Sequence, residues 1–358
     1  MNENVLVSLK NITKKYGDKT IINNVSLDIY EGEFLTLLGP SGCGKTTILR
    51  TISGLEELTK GEIYIDGVNV TNVDPTLREV NTIFQSFALF PHMTVWDNIN
   101  FGLKMKKVNK AEANKRIKDA IKLVKLEGFE DRYPPQLSGG QQQRVAIARG
   151  IVMKHKVLLL DESLCSLDLK LKREMQIELK KLQKQLGMTF IYVTHDQDEA
   201  LTMSDRIAII NKGKIEQLDT PKNIYRYPKT AFIADFIGES NIFNVEIKET
   251  TDKHALAKIN EENSLKIINN NYKVGDKLKL LLRPETFELA KEYGKNSIKG
   301  IVKNYVYDGQ ITKLEVEVNK GLLLKVNIND ADICNKDDTV YLRVPEEKVV
   351  IIGEQNEE

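Results

Sequence analysis

Only three cysteines, Cys43, Cys165 and Cys334, occur in 358 residues. They are too few and too widely spaced for a disulfide framework or a metal-ligand cluster, and a reduced, cytosolic setting fits them best. No apolar run approaches the ~18 residues needed to cross a bilayer as a helix. The segment from Met1 to Val7 lacks a basic stretch and a long apolar stretch, so no signal peptide is expected. Charge of one sign is not in excess either: 52 Lys and Arg face 51 Asp and Glu, a formal net charge of +1. That balance argues against a nucleic-acid surface and against a polybasic membrane anchor. The 41% hydrophobic and 29% charged content is enough for sizeable cores, and the length predicts two or three domains.

What is present is organised around one stretch. Gly39, Pro40, Ser41, Gly42, Cys43, Gly44, Lys45 and Thr46 fit G-x-x-x-x-G-K-[S/T] at every fixed position. Phe34 to Leu38 before it reads as a buried strand, and Thr47 to Arg50 after it opens a helical pattern. A strand, a glycine loop and a helix make a phosphate cradle, because backbone N–H groups converge on an anion without Cβ clashes and the helix N-terminus adds positive charge. Lys45 would reach the β- and γ-phosphates, and the Thr46 hydroxyl would hold Mg²⁺. Thr47 belongs with the nucleotide-binding set. The competing reading, a glycine-rich turn with a chance lysine, fits the flanking strand and helix less well.

Around this unit the patterns change along the chain. Val5, Val7 and Leu9 are expected on one strand face, and Ile21, Ile22, Val25, Leu27 and Ile29 suggest further strands. Asp66-Gly67 reads as a hairpin turn. From about 87 to 156 the texture is helical, with Ile117, Ala120, Ile121 and Val124 near helical spacing. Ser138 is placed as an N-cap before Gly139, Gly140 and Gln141, a second anion-binding helix entrance. Val157 to Leu160 is an apolar strand ending in Asp161 and Glu162, where open α/β sheets bind ligands. Asp161 could hold Mg²⁺ through water, and Glu162 could accept a proton from attacking water. Phe190 to Val193 is another strand, and it leads to His195 at the same sheet edge. Beyond about Asn241, alternation such as Leu314, Val316 and Val318 against Glu315 and Glu317 predicts a small β-barrel-type domain.

In this order the motifs resemble the ATP-binding subunits of ABC transporters, over essentially the whole chain. The resemblance implies an ABC-type P-loop ATPase domain over 1–237, with a helical subdomain at about 87–156 and an antiparallel β edge. A TOBE-like, OB-like regulatory β domain over 238–358 would follow. It assigns Tyr16 to base stacking, Gln85 to Mg²⁺ and the attacking water, Leu137 to Gln141 to the signature, Glu162 to catalysis, Asp168 to the D-loop and His195 to the switch histidine. It further implies ATP and Mg²⁺ as ligands, and a homodimer in which Ser138, Gly139 and Gly140 of one subunit face the other's phosphate loop. Two membrane-spanning permease subunits and an extracellular solute-binding protein complete the implied assembly, at the cytoplasmic face of the cell membrane. Leu282-Arg-Pro-Glu285 and the junction Phe236 to Phe243 are similar to bacterial importers, the junction to polyamine importers in particular. Sugar, ferric-iron and sulfate importers have ATPases of similar layout.

The chain departs from that family between Glu162 and Asp168. Ser163, Cys165 and Ser166 stand where importers usually carry Pro, Ser and Ala, and hydrolysis is expected to be tuned differently for it. Two other readings compete: a soluble ABC ATPase of translation or DNA maintenance, and a nucleotide-binding regulatory subunit that no longer hydrolyses. The first usually carries two cassettes or a long coiled-coil insertion, absent here. Intact Glu162 and His195 oppose the second.

Overall fold

The computed structural model describes residues 4–162, 164, 169–319, 321–329 and 334–352. Ser163, Cys165, Ser166 and the candidate Asp168 lie outside the described residues. The chain divides into two compact units, residues 1–221 and 222–358.

In the first unit, a six-stranded sheet runs in the order Lys214–Asp219, Arg206–Asn211, Phe34–Leu38, Thr189–Thr194, Val157–Asp161 and Val80–Ile83. All neighbours are parallel except the first pair. Every residue of Phe34–Leu38, Val157–Asp161 and Thr189–Thr194 is buried, as expected for parallel strands covered on both faces. Side chains alternate between two cores. Leu35, Leu37, Leu159 and Val193 pack with Ile48 and Ile52 of helix Lys45–Ser53 and with Leu9, Ile29 and Ile63 of an antiparallel sheet. Phe34, Leu158, Leu160, Phe190 and Tyr192 pack with the helical part instead, against residues such as Ile99, Ile117, Val145 and Ile147.

The antiparallel sheet contains Lys19–Tyr30, Val5–Tyr16, Lys60–Ile65 and Val68–Asn69. Asp66 and Gly67 close its hairpin at φ 51° and 75°, the positive values that a two-residue turn between twisted strands demands. The expected face of Val5, Val7 and Leu9 is corrected at one position. A register shift between Val5 and Val7 turns Val5 outward, and Leu6 and Val7 are both buried. Helices Val95–Met105, Lys110–Leu123 and Gly139–Ile151 fall within the expected helical stretch.

The second unit contains two five-stranded antiparallel sheets sharing one core. One is built around Asn241–Thr250 and Lys277–Leu282, the other around Ser297–Tyr307, Thr312–Asn319 and Leu322–Ile328. Leu314 pairs with Val326 and Val316 with Leu324, so the alternating residues of both strands enter the core together.

The division at 221/222 lies before the boundary at 237/238 expected from the sequence. Arg283 supplies the physical reason. Its buried guanidinium donates to the carbonyls of Ala234 (2.9 Å), Glu239 (3.0 Å) and Tyr225 (2.9 Å), which binds helices Pro221–Arg226 and Ala231–Phe236 to the β-rich unit. The guanidinium also lies 4.3 Å from the Tyr225 ring centroid. The Tyr225 hydroxyl is pushed up to about 12 by burial and by its bond to Glu285. Arg283→Met removes three charge-assisted donations at once and should cost this unit about 3 kcal/mol. Urea unfolding followed by circular dichroism reads this as a lowered midpoint with ATP binding retained; a loss below about 1 kcal/mol would mean that water replaces the guanidinium.

Candidate active site

The phosphate loop is shaped by close backbone approaches. A Cβ on Gly39 would lie 2.1 Å from the Ile210 carbonyl oxygen, and one on Gly44 would lie 2.9 Å from that of Ile21. Gly42 and Gly44 hold φ values of 78° and 108°, so both packing and backbone conformation demand glycine at the loop. Around Gly42 a Cβ would meet nothing within 4 Å, which leaves that side of the loop open to a ligand. Lys45 is buried, and its ammonium donates to the carbonyls of Gly39 (2.7 Å) and Pro40 (2.9 Å). The only mobile cation of the loop is thereby held against its own backbone, at the helix N-terminus.

Three strand ends deliver the remaining groups. The Thr46 hydroxyl donates to Asp161 Oδ1 at 3.0 Å. Asp161 is buried, and that desolvation pushes its carboxyl above the usual carboxylate range despite the Thr46 bond. Glu162, the next residue, sits at φ 45°, a left-handed conformation that costs a non-glycine residue on the order of 1 kcal/mol. Its N–H donates to the Val193 carbonyl at 3.0 Å, which helps hold that conformation. The Glu162 carboxylate meets His195 Nδ1 at 3.1 Å and accepts from Gln85 Nε2 at 3.3 Å. Glu162, His195 and Gln85 are therefore brought together, with Thr46 and Asp161 one residue away along the chain from Lys45 and Glu162. Hard oxygen donors from Thr46, Gln85 and Asp161 suit a small divalent cation such as Mg²⁺.

The signature residues form a different set. Ser138 caps helix Gly139–Ile151 in a capping box: its side chain accepts from Gln141 N at 3.4 Å, and Gln141 Oε1 accepts from Ser138 N at 2.9 Å. A Cβ on Gly140 would crowd the Leu171 side chain at 3.0 Å. Among the described residues no hydrogen bond or ion pair joins Ser138, Gly139, Gly140 or Gln141 to the phosphate loop. Tyr16 keeps other partners. Half its surface is exposed, Lys14 Nζ lies 4.8 Å from its ring centroid, and Lys14 pairs with Glu56 at 2.6 Å. Partial burial and a bond to Glu56 push its hydroxyl up.

Sequence reasoning missed the supports of His195. Glu199 is fully buried and accepts from the Tyr192 and Thr194 hydroxyls, each at 2.5 Å. Lys172 bridges Glu199 (2.7 Å) and Asp196 (2.6 Å), and Asp196 caps helix Gln197–Met203. The run Asp196-Gln-Asp-Glu199 carried a capping signal, but nothing local pointed to Lys172.

A parallel sheet with a phosphate loop, an acid pair and a histidine at one edge, plus a separate Ser-Gly-Gly helix entrance, defines the ATP-binding subunit class of ABC transporters. Residues 22–164 match the ABC transporter family and residues 280–352 the TOBE domain. The spermidine/putrescine import ATP-binding protein of Haemophilus ducreyi is 49% identical, over 94% of this chain and 92% of that relative. Its counterpart from Vibrio vulnificus is 51% identical, over 93% and 88%. Among solved structures, the dimeric post-hydrolysis state of the ATP-binding cassette MJ0796 bound to ADP and Pi is 37% identical, with a TM-score of 0.54 over 60% of this chain and 99% of that one. The cbiO1 protein of Clostridium perfringens, part of the ABC transporter complex cbiONQ, is 30% identical, with a TM-score of 0.58 over 62% and 91%. The chain belongs to the family of spermidine/putrescine import ATP-binding proteins, and it is an ATP hydrolase.

Cys43 lies inside the loop, is 7% exposed, and its thiol is pushed up by burial despite the nearby Lys45. A maleimide should therefore react slowly in a Cys165→Ser, Cys334→Ser background. Once attached, it should abolish ATP binding, and ATP should protect. Full activity after verified labelling would contradict this placement.

Proposed function

We propose that this chain powers polyamine import as one of two identical subunits at the cytoplasmic face of the membrane. It would dock beneath two membrane-spanning permease subunits supplied with spermidine or putrescine by an extracellular binding protein. Relatives of that name about half identical over more than nine-tenths of the chain support the solute assignment. Among the described residues no helix is long and apolar enough to cross a membrane, so a separate permease is required by this reading.

The observation that carries the catalytic reading is the contact of one carboxylate, Glu162, with both His195 and Gln85 beside the Thr46–Asp161 bond. In this reading the phosphate-loop N–H groups from Gly39 to Thr47 and the Lys45 ammonium bind the β- and γ-phosphates, while Tyr16 stacks on the base. Thr46, Gln85 and Asp161 would hold Mg²⁺, which supplies charge neutralisation across the phosphates when bound. Glu162 accepts the proton of the attacking water, and Gln85 orients that water. His195 contacts the γ-phosphate. The second helix entrance, Ser138 to Gln141, completes the partner's site across the dimer, and Asp168 is assigned to the D-loop. The TOBE-type unit is assigned a regulatory role.

Lys45→Ala should lose ATP binding, since the phosphates lose their main cation; unchanged affinity would remove the loop from the site. Glu162→Gln should bind ATP, hydrolyse it ~10²-fold more slowly, and elute as an ATP-dependent dimer, because the amide cannot accept the proton. Wild-type turnover by a monomer would contradict both roles. Reconstituted with its permease, the complex should accumulate radiolabelled spermidine or putrescine in preference to maltose, sulfate or ferric iron. Preference for one of the latter would overturn the polyamine assignment alone.

A further inference from the structure

The segment after Gln85 is held in a conformation that its own sequence does not favour. Phe87 and Ala88 are successive non-glycine residues at φ 58° and 47°. Neither gains anything locally from the left-handed region, so something outside the loop must hold both. That group is Arg149. One guanidinium nitrogen donates to the Phe87 carbonyl at 2.8 Å and the other to the Ala88 carbonyl at 2.7 Å. The planar fork fits two adjacent carbonyls in a way that a single ammonium cannot. Its carbon lies 5.6 Å from the Phe90 ring centroid, a third contact with the same segment.

This grip sits next to a catalytic group. The Phe87 N–H donates to the Phe84 carbonyl at 2.8 Å, so residues 84–87 form a turn with Gln85 and Ser86 at its centre. One end of that turn follows strand Val80–Ile83, and the other end is the carbonyl held by Arg149. The strand is tied to the same helix: Asn81 Nδ2 donates to the Gly150 carbonyl at 2.6 Å. At Gly150 the helix also packs closely on the neighbouring strand, since a Cβ there would lie 2.8 Å from the Leu158 side chain. Beyond the turn, fully buried Asn98 donates to the carbonyls of Phe90, Met93 and Thr94 and accepts from Phe90 N. Gln85 and Ser86 are thus the short span left between anchored backbone.

Arg149 stands in the last turn of helix Gly139–Ile151, whose first residues are Gly139 and Gly140 of the signature. Thirteen helical residues make a rod of ~20 Å. We infer that Arg149 is a positioning residue that fixes Gln85 to this rod, so that engagement of Ser138–Gln141 with the partner's nucleotide sets the position of Gln85 in the subunit's own site. The inference rests on the dimeric reading above. It makes the two ATP sites cooperative through one helix, and it separates Arg149 from nucleotide binding, in which the reading above gives it no part.

The test uses the full-length chain, with hydrolysis measured against ATP concentration and affinity measured with trinitrophenyl-ATP. Wild type should give a sigmoidal rate curve. Arg149→Met should keep affinity within about 2-fold, lose turnover by on the order of 10-fold or more, and become hyperbolic. Arg149→Lys retains the charge without the fork and should fall between the two, and it decides the matter if the Met variant does not fold. The inference is overturned by a hyperbolic wild-type curve, by wild-type turnover and sigmoidicity in either folded variant, or by affinity falling in step with turnover. ATP-dependent dimerisation of Glu162→Gln, measured alongside, reports separately on the dimer. A dimer with unaltered Arg149 variants would discard this inference only, whereas no dimer would discard the reading beneath it.

Discussion

The parallel register of three strands is the constraint on which the site depends. Leu38 pairs with Thr194, and Asp161 with Val193, so the three strands end level with one another. The residues that follow those ends are the phosphate loop, Glu162 and His195. Groups as far apart in sequence as Gly39 and His195 therefore share one edge without any loop having to search for another. Displacing one strand by a single residue would exchange its side chains between the two cores, and every position of these strands is buried, so the packing on both faces opposes slippage. Catalytic geometry here is inherited from hydrophobic packing.

The chemistry was legible in the sequence because its residues come as contiguous motifs with tight steric demands. Gly39 is one such case: a backbone carbonyl occupies the volume of any Cβ there, and the constraint shows in the motif itself. The alternation of Leu314, Val316 and Val318 was equally legible, because a two-residue period states which face is buried. The supports were not legible. Arg149, Lys172, Glu199 and Asn98 act through partners chosen by tertiary structure, and an arginine near a helix end reads from sequence as a solvated cation completing the helix dipole. Val5 failed for a related reason. A bulge breaks the period on which the strand reading relied, and it leaves no compositional mark.

The boundary between units illustrates the same limit. The composition changes near residue 241, where alternating strands begin, and the boundary expected from the sequence, at 237/238, falls just before that change. Two short helices before that point nevertheless belong with the strands, because Arg283 reaches back to one carbonyl in each of them, Tyr225 and Ala234, and to that of Glu239 just beyond. Helices of six residues have little stability alone, so their allegiance is decided by whichever unit supplies partners for their ends.

Both Arg149 and Arg283 are cations shielded from water and spent on backbone carbonyls, and burial lowers the proton affinity of each. A carboxylate partner would give more Coulombic attraction, but it would hold only another side chain. Carbonyl partners hold the main chain itself, and they can be gripped wherever the loop has turned them toward the guanidinium. Such a grip is specific to one backbone conformation, since the two carbonyls must present their oxygens together. At Arg283 the conformation gripped is that of short helices, and the outcome is a unit boundary. At Arg149 it is a pair of left-handed residues beside Gln85, which do not hold that shape unaided. The same chemistry thus yields architecture where the backbone is regular, and control where it is strained.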